Sequence, residues 1–434
     1  MMLSRLAVLL SALTLLLALS GFLPPPTYVL LTLSVGAPEV GVWLIVAAAV
    51  AVLMTLVAAG PGRLRLATLL SAAATVLLSL LPLLRFSATS RRFDTAMHDQ
   101  LGQNFLCTVP DSVRRSLRPR TLGLAELFTG LGSQQVRVSR GVVVGITDAG
   151  PLQADIYQPA GSGRFPVVVQ IYGGAWQRGA PADDGAFAAH LAARNYVVVA
   201  IDYRHAPRWQ WPAQRDDVRM ALRWVREHVV QFDGDATRLA LIGRSSGAQL
   251  ALVAAFTDSL PISAVISYYG PVDLVDGYNH PPVPDPLDVR SLEAAYLGGP
   301  PSDQPARYRE ASPVSYASVI QPPTLLIYGG RDNVVLPRFG RLLEERLRAG
   351  GTPVVLLEIP WAQHAFDAIT AGPSAQLALI EVERFLAWAL WSAADARRCG
   401  EATACRLSPL AYSANAGANT VRANSSSVVG VVVS

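Results

Sequence analysis

Two glycine-framed turns, one histidine and one aspartate carry the residue types that nucleophilic catalysis needs. Gly243-Arg244-Ser245-Ser246-Gly247 sets a serine between two glycines, behind the β-rich run 239–242 and ahead of an apolar helical stretch. A serine projected from a sharp strand-to-helix turn needs small neighbours, because bulk at either glycine would collide with strand or helix. The helix amino terminus that follows offers N–H groups to developing negative charge. Upstream, Ile171-Tyr172-Gly173-Gly174-Ala175-Trp176 closes another predicted strand. The amides of Gly173 and Gly174, joined by that of Ser246, would form an oxyanion hole. The alternative for this stretch is a tight turn that binds nothing.

The sequence holds six histidines. His98 lies ahead of the strand-rich region, His190 and His228 sit in helical patterns, and His280 lies in a proline-rich stretch. His364, in Trp361-Ala362-Gln363-His364-Ala365-Phe366, follows the last predicted strand, where a loop reaches the serine. Asp332, in Tyr328-Gly329-Gly330-Arg331-Asp332-Asn333, follows the strand before it, giving the chain order Ser, Asp, His. His205 and Asp273 also follow predicted strands and compete for the roles of base and acid. The chemistry expected of the set is acyl transfer: serine attacks a carbonyl, histidine takes its proton, and the acid holds the imidazolium. Trp176, Trp209 and Trp211 stand near these loops, either lining a substrate pocket or packing at the sheet edge.

Strands and helices must present these side chains together. β-rich runs at 141–146, 154–157 and 167–172 are followed by runs at 197–201, 239–242, 264–267, 324–327 and 354–358. Helical patterns at 185–194, 213–230, 247–256, 337–349 and 374–391 alternate with the later runs. This predicts an α/β fold with a mostly parallel central sheet and helices on both faces, its functional groups at the carboxyl ends of the strands. The domain spans 136–393. An insertion at 274–318, rich in proline, is placed to cover the site as a cap. Residues 87–135 read as a polar connector with weak helical patterning. Residues 394–434 turn to alanine, serine, asparagine and valine and read as a disordered tail, with 428–433 as a candidate edge strand.

The chain of 434 residues is 51% hydrophobic and 16% charged, and the apolar excess is concentrated before residue 86. Every basic side chain apart from the histidines is arginine, and no lysine occurs. That excludes a Walker-type phosphate loop, a pyridoxal Schiff base and a Ser-Lys dyad. The formal charge of +4 is scattered, so nucleic acid is not an expected partner. Cys107, Cys399 and Cys405 are too few and wrongly spaced for zinc. Cys399 and Cys405 either bridge outside the cytoplasm or remain thiols.

Residues 6–23, 40–59 and 66–84 are nearly free of charge, and each is long enough to cross a bilayer as a helix of roughly 20 residues. Ala18-Leu19-Ser20 ahead of Gly21 also satisfies a small-x-small cleavage site, which would make the first a signal peptide. Arg5 precedes the first segment, Arg63 and Arg65 separate the second and third, and 24–39 holds no basic residue. The positive-inside rule then puts both arginine sites in the cytoplasm and everything after residue 86 outside, despite Arg85, Arg91 and Arg92. The expected protein is an integral, multi-pass membrane protein with an extracytoplasmic catalytic domain.

Tyr172-Gly173-Gly174-Ala175-Trp176, Asp202-Tyr203-Arg204-His205-Ala206-Pro207, Trp211-Pro212-Ala213 with Asp216-Asp217-Val218, and Gly243-Arg244-Ser245-Ser246-Gly247 occur in one order. Together they resemble the esterase/lipase branch of the α/β-hydrolase superfamily, near its hormone-sensitive-lipase-like and bacterial feruloyl-esterase-like groups, over about 136–393. The resemblance implies a Ser245–Asp332–His364 triad, an oxyanion hole from Gly173, Gly174 and Ser246, no metal and no cofactor. It makes Asp202, Arg204, Asp216 and Asp217 structural braces. It implies a small-molecule or lipid ester as substrate, whereas the bilayer is expected as a partner from the three apolar segments alone. An arylformamidase-like amidase uses the same triad, and a non-catalytic binding module on this fold is the third reading. Two residues depart from the pattern: Tyr172 stands where relatives usually carry histidine, and Arg244 where they carry an acid or histidine.

Overall fold

The computed structural model of the chain describes residues 1–58 and 60–395. Eight strands form one sheet: β1 (Val136–Thr147), β2 (Gly150–Pro159), β3 (Phe165–Ile171), β4 (Val197–Ile201), β5 (Gly234–Arg244), β6 (Ala264–Tyr268), β7 (Thr324–Gly329) and β8 (Val354–Ile359). Their order is β1-β2-β4-β3-β5-β6-β7-β8. β1 and β2 pair antiparallel, β2 runs antiparallel to β4, and all remaining pairs are parallel. β3, β4, β6 and β7 are almost wholly buried, the near-continuous apolar strand expected of a sheet covered on both faces. Register stacks the core: Val169 lies beside Val199 on one side and Leu241 on the other.

Fourteen helices accompany the sheet among the described residues. The amino-terminal ones are α1 (Met2–Ser20), α2 (Tyr28–Glu39), α3 (Gly41–Val57), α4 (Gly62–Leu101), α5 (Asp111–Ser116) and α6 (Glu126–Thr129). The sheet is covered by α7 (Gly185–Ala192), α8 (Ala213–His228), α9 (Ser246–Thr257), α13 (Arg338–Ala349) and α14 (Pro373–Asp395). Between β6 and β7 lie α10 (Leu274–Asn279), α11 (Val289–Leu297) and α12 (Pro305–Ala311), so the proline-rich insertion is helical. Burial follows pattern: α8 buries Val218, Ala221, Leu222 and Val225 on one stripe, whereas α9 is apolar all round and buried from Ser246 to Phe256.

α1 and α4 are each long and apolar enough to cross a membrane, and α2 with α3 passes the same test as a pair bent by 85°. The three expected segments therefore differ from the structure in two ways. α3 alone has 17 residues, about 25 Å against a hydrocarbon core of about 30 Å. The stretch 24–39 is no plain connection, because Thr27 caps α2 by accepting from the Leu30 N–H. Where α1, α3 and α4 meet, they bury small residues: Ser4, Ala7, Ser11, Thr14 and Ala18; Gly41, Ala48, Ala51 and Thr55; Thr68, Ala72, Thr75 and Ser79. Leu13, Leu16, Leu53, Leu56, Leu70 and Leu77 point outward and are more than half exposed.

The third segment does not end at residue 84. α4 continues for 40 residues to Leu101, and its later half buries Phe86, Ser90, Phe93 and Met97, a helical 4-3-4 spacing. Phe86, Phe93 and Met97 belong to the same apolar core as the sheet. The remaining connector lies along α14. Asp94 meets Arg384 at 3.0 Å, Thr108 meets Ser392 at 2.6 Å, and the N–H groups of Arg118 and Gly123 donate to Glu383 and Gln376. Glu383 also accepts from His190 and pairs with Arg194, so one buried carboxylate fastens the connector to α7. The expectations for Cys399, Cys405, the tail after residue 395 and its edge strand lie outside the described residues.

This packing makes the second half of α4 part of the core of the sheet domain. Phe93→Ala in the full chain should cost about 3 kcal/mol of stability, the usual scale for a buried phenylalanine. Denaturant unfolding followed by tryptophan fluorescence measures it, and a loss under about 1 kcal/mol would place α4 outside the cooperative core.

Candidate active site

β5 lies between β3 and β6 near the centre of the sheet, and its carboxyl end delivers Ser245. The chain reverses there from strand to α9 with Ser245 at φ 51° and ψ −121°, a conformation that a residue bearing a side chain adopts only under compulsion. The compulsion is contact on both sides. A Cβ on Gly243 would lie 2.2 Å from the Gly247 carbonyl oxygen, and one on Gly247 would lie 2.2 Å from that of Tyr172. Both glycines of the motif are therefore fixed by the approach of β3, β5 and α9. The Ser245 N–H donates to the Tyr268 carbonyl at 2.9 Å, tying the turn to β6.

Asp332 and His364 come from the loops after β7 and β8, and those loops are stitched together. The N–H groups of Gly330 and Arg331 donate to the carbonyls of Ile359 and Ala362. A Cβ on Gly329 would lie 2.5 Å from the Ala362 oxygen, so only glycine permits the contact. Asp332 is buried; one carboxylate oxygen accepts from the N–H groups of Val334 and Val335, both at 2.8 Å. Its other oxygen lies 2.8 Å from His364 Nδ1, and His364 Nε2 lies 3.0 Å from Ser245 Oγ. With the proton on Nδ1, the imidazole donates to Asp332 and leaves Nε2 to accept from the serine hydroxyl. The Tyr269 ring packs against the imidazole at 4.6 Å.

Gly173 and Gly174 face this serine. A Cβ on Gly173 would meet the Ser245 Cβ at 3.1 Å, and Gly174 sits at φ 142°, which favours glycine. Among the described residues, the N–H groups of Gly174 and Ser246 make no backbone turn, loop or cap bond. Ser245, His364, Gly173, Gly174 and Ser246 share one cavity of about 420 Å³.

The three tryptophans separate. Trp176 lines the cavity, donates from Nε1 to Gln249 at 2.9 Å and stacks on Tyr296 at 4.2 Å. Trp209 and Trp211 do not line it. Trp211 is buried behind Tyr296 with its Nε1 toward Glu310, and Trp209 lies under Arg208. His205 bonds Tyr172 Oη through Nε2, and Asp273 caps α10, so neither competitor reaches the serine. Asp202 accepts from Tyr172 Oη and from the Tyr203 N–H, Arg204 grips Asp217, and Asp216 pairs with Arg215.

Tyr172 and Arg244, where the sequence departs from the pattern it resembles, each have local partners. Tyr172 replaces histidine's polar reach with a hydroxyl that bonds both Asp202 and His205. Arg244 is buried behind Ser245, with Nε 2.6 Å from Asp367 and Nη1 3.3 Å from Asp184. Its guanidinium also covers the rings of Phe187 and Tyr268. Asp367 in turn accepts from Tyr269 Oη. Burial raises the Asp184 carboxyl above its usual range, against the pull of Arg244. Asp184, Asp367 and Tyr269 were not singled out in the sequence, since no spacing links residues brought together from three separate loops. The α2 residues Tyr28, Leu31, Thr32 and Val35, which also line the cavity, did carry a signal: their 3-1-3 spacing is one helical face.

The BD-FAE family model matches residues 154–347. The probable carboxylic ester hydrolase LipM of Mycobacterium tuberculosis is 34% identical over 243 residues, covering 52% of this chain and 55% of its own length. Esterase LipQ of the same organism is 32% identical over 219 residues, 47% of this chain and 51% of its own. The chain thus spans about half the length of the curated relatives it matches. Among solved structures, an esterase of Pyrobaculum calidifontis matches with TM-score 0.53 at 22% identity, over 65% of this chain and 92% of its own. A truncated carbohydrate esterase from gut microbiota matches with TM-score 0.52 at 22% identity, over 59% and 99%. These likenesses, with the sheet order above, show the α/β-hydrolase fold.

Arg244 generates a prediction. Arg244→Met leaves Asp184 and Asp367 buried without their cation and should cost about 3 kcal/mol near neutral pH. The Asp184 carboxyl, raised in the folded state by burial, favours the protonated fold, so stability is lost as pH rises past its unfolded value. The deficit should therefore be larger at about pH 7 than at about pH 5. Unfolding curves at both values test this, and a pH-independent deficit would remove Arg244 from the brace.

Proposed function

We propose that this α/β-hydrolase fold carries a membrane-anchored carboxylic ester hydrolase, in which Ser245 is the nucleophile, His364 the base and Asp332 its partner. The observation that supports it most is the hydrogen-bonded line Asp332–His364–Ser245, opening on a cavity whose rim carries the Gly174 and Ser246 amides. Ser245 Oγ attacks the ester carbonyl as its proton passes to His364 Nε2, while Asp332 steadies the imidazolium. The amides of Gly173, Gly174 and Ser246 hold the oxyanion, and each such donor is worth about 3 kcal/mol. His364 returns the proton to the leaving alcohol, and water then repeats the sequence on the acyl-enzyme. The relatives' names, ester hydrolase and esterase, favour ester over amide cleavage. The unbroken line of three side chains favours a catalyst over a binding module.

The anchor rests on the amino-terminal bundle. Its helices bury small residues and expose leucines, the reverse of what water selects and the arrangement by which helices pack in lipid. Ser4 lies beside Gly60, which gathers Arg5, Arg63 and Arg65 at the end of the bundle remote from the catalytic domain. By the positive-inside rule that end is cytoplasmic and the hydrolase domain is outside.

Purified full chain should hydrolyse p-nitrophenyl butyrate. Ser245→Ala should lower kcat at least about 10⁴-fold, and Asp332→Asn, which loses the acceptor that fixes the tautomer, by a similar factor. Equal rates for wild type and Ser245→Ala would remove the serine from the reaction.

A further inference from the structure

Every wall of the cavity but one comes from the hydrolase domain. The exception is α2. Tyr28, Leu31, Thr32 and Val35 occupy one face of that helix and line the same cavity as Ser245 and His364. The opposite face, with Val29, Leu30 and Leu33, is exposed. α2 meets α3 at 85°, so if α3 runs along the membrane normal, α2 lies in the plane of the bilayer surface. The surroundings suit that plane: Trp43 at the start of α3 packs edge-on against Phe128 of α6 at 5.1 Å, and both rings are about half exposed. Tryptophan and other amphipathic rings collect where hydrocarbon meets headgroups.

α2 is fastened to the hydrolase domain at both ends. Before it, Arg331 Nη1 donates to the Phe22 carbonyl at 3.1 Å and covers the Phe22 ring. At its end, Glu39 accepts from the Ser374 N–H at 3.0 Å, and between them Arg178 reaches Tyr28 Oη. Arg331 is the immediate neighbour of Asp332, so the helix is registered against the loop that carries the acid. The same cavity is lined by Leu287, Val289 and Leu292 of the insertion and by Val335, Leu336 and Phe339 beyond β7. An apolar channel framed on one side by an interfacial helix suits an aliphatic chain.

We infer that α2 completes an acyl-chain site, and that the substrate is an ester of a long aliphatic acid taken from the bilayer surface on which α2 lies. The inference rests on the ester-hydrolase reading above. Each methylene withdrawn from water favours binding about fourfold, so the chain itself supplies selectivity.

The test uses the full chain in phosphatidylcholine nanodiscs and the kcat/KM ratio for p-nitrophenyl dodecanoate over p-nitrophenyl acetate. Val35→Glu puts a charge into the channel and should lower the ratio on the order of tenfold. Val35→Ala, which disturbs the helix least, should lower it a few-fold. Val29→Glu puts the same charge on the opposite face of the same helix and should change the ratio less than about twofold. Equal effects of Val35→Glu and Val29→Glu, or no effect of either Val35 variant, would overturn the acyl site while Ser245-dependent acetate hydrolysis still upheld the esterase reading. Loss of Ser245-dependent hydrolysis of both esters in the wild type would sink both.

Discussion

The structure depends on the approach of three backbones at one point. β3, β5 and α9 come so close around residue 245 that no Cβ fits at Gly243 or Gly247, and Ser245 is left in a left-handed conformation. Strain of this kind costs on the order of 1–3 kcal/mol and persists only where the surroundings over-determine it. Here they do so twice. The Ser245 N–H is held by β6, and the side chain before it, Arg244, is locked between two carboxylates. Neighbouring residues share the condition: Ala175, Trp176, Tyr269 and Ala365 also have positive φ. The unusual backbone is concentrated around one cavity, as expected where geometry is maintained for chemistry rather than for stability.

Arg244 shows how one substitution in a motif can be absorbed without changing the turn. An acid or histidine at that position would face Asp184 and Asp367 at close range. The guanidinium instead converts two buried carboxylates into partners and spreads over two aromatic rings. Because Asp367 also holds Tyr269, and Tyr269 packs on His364, the brace behind Ser245 continues to the imidazole. Arg244 thus supports the orientation of His364 from the far side.

Sequence alone carried the parts governed by local pattern. The four buried strands read as apolar runs, α8 and α13 read from their stripes, and the serine turn read from two glycines whose necessity is steric. His364 and Asp332 were legible from chain order, since loops after the last two strands have one side of the sheet to emerge on. What stayed hidden was set by distance in three dimensions. Trp209 and Trp211 follow the end of β4 in sequence, yet in space they lie outside the cavity, Trp211 behind Tyr296. The end of α4 was misplaced because hydropathy falls after residue 84 while helical periodicity persists through Met97. Charge was taken as the end of the element, when it marked only the end of its apolar stretch.

That continuity of α4 has a consequence for the site. Its first half packs on α1 and α3, and its second half is buried with the sheet, so bundle and hydrolase share one rigid element. α2 is attached differently, by a guanidinium on a carbonyl, a carboxylate on an N–H and a tyrosine hydroxyl. Arg331 with Phe22 and Arg178 with Tyr28 are part-buried or exposed ties, which open more readily than an apolar core, whereas the tie of Glu39 to Ser374 is buried. The amino-terminal end of α2 is therefore more compliant than its carboxyl end. Ser245, His364 and Asp332 are held by hydrogen bonds to β6, within the loops after β7 and β8 and to one another, and none of these comes from α2.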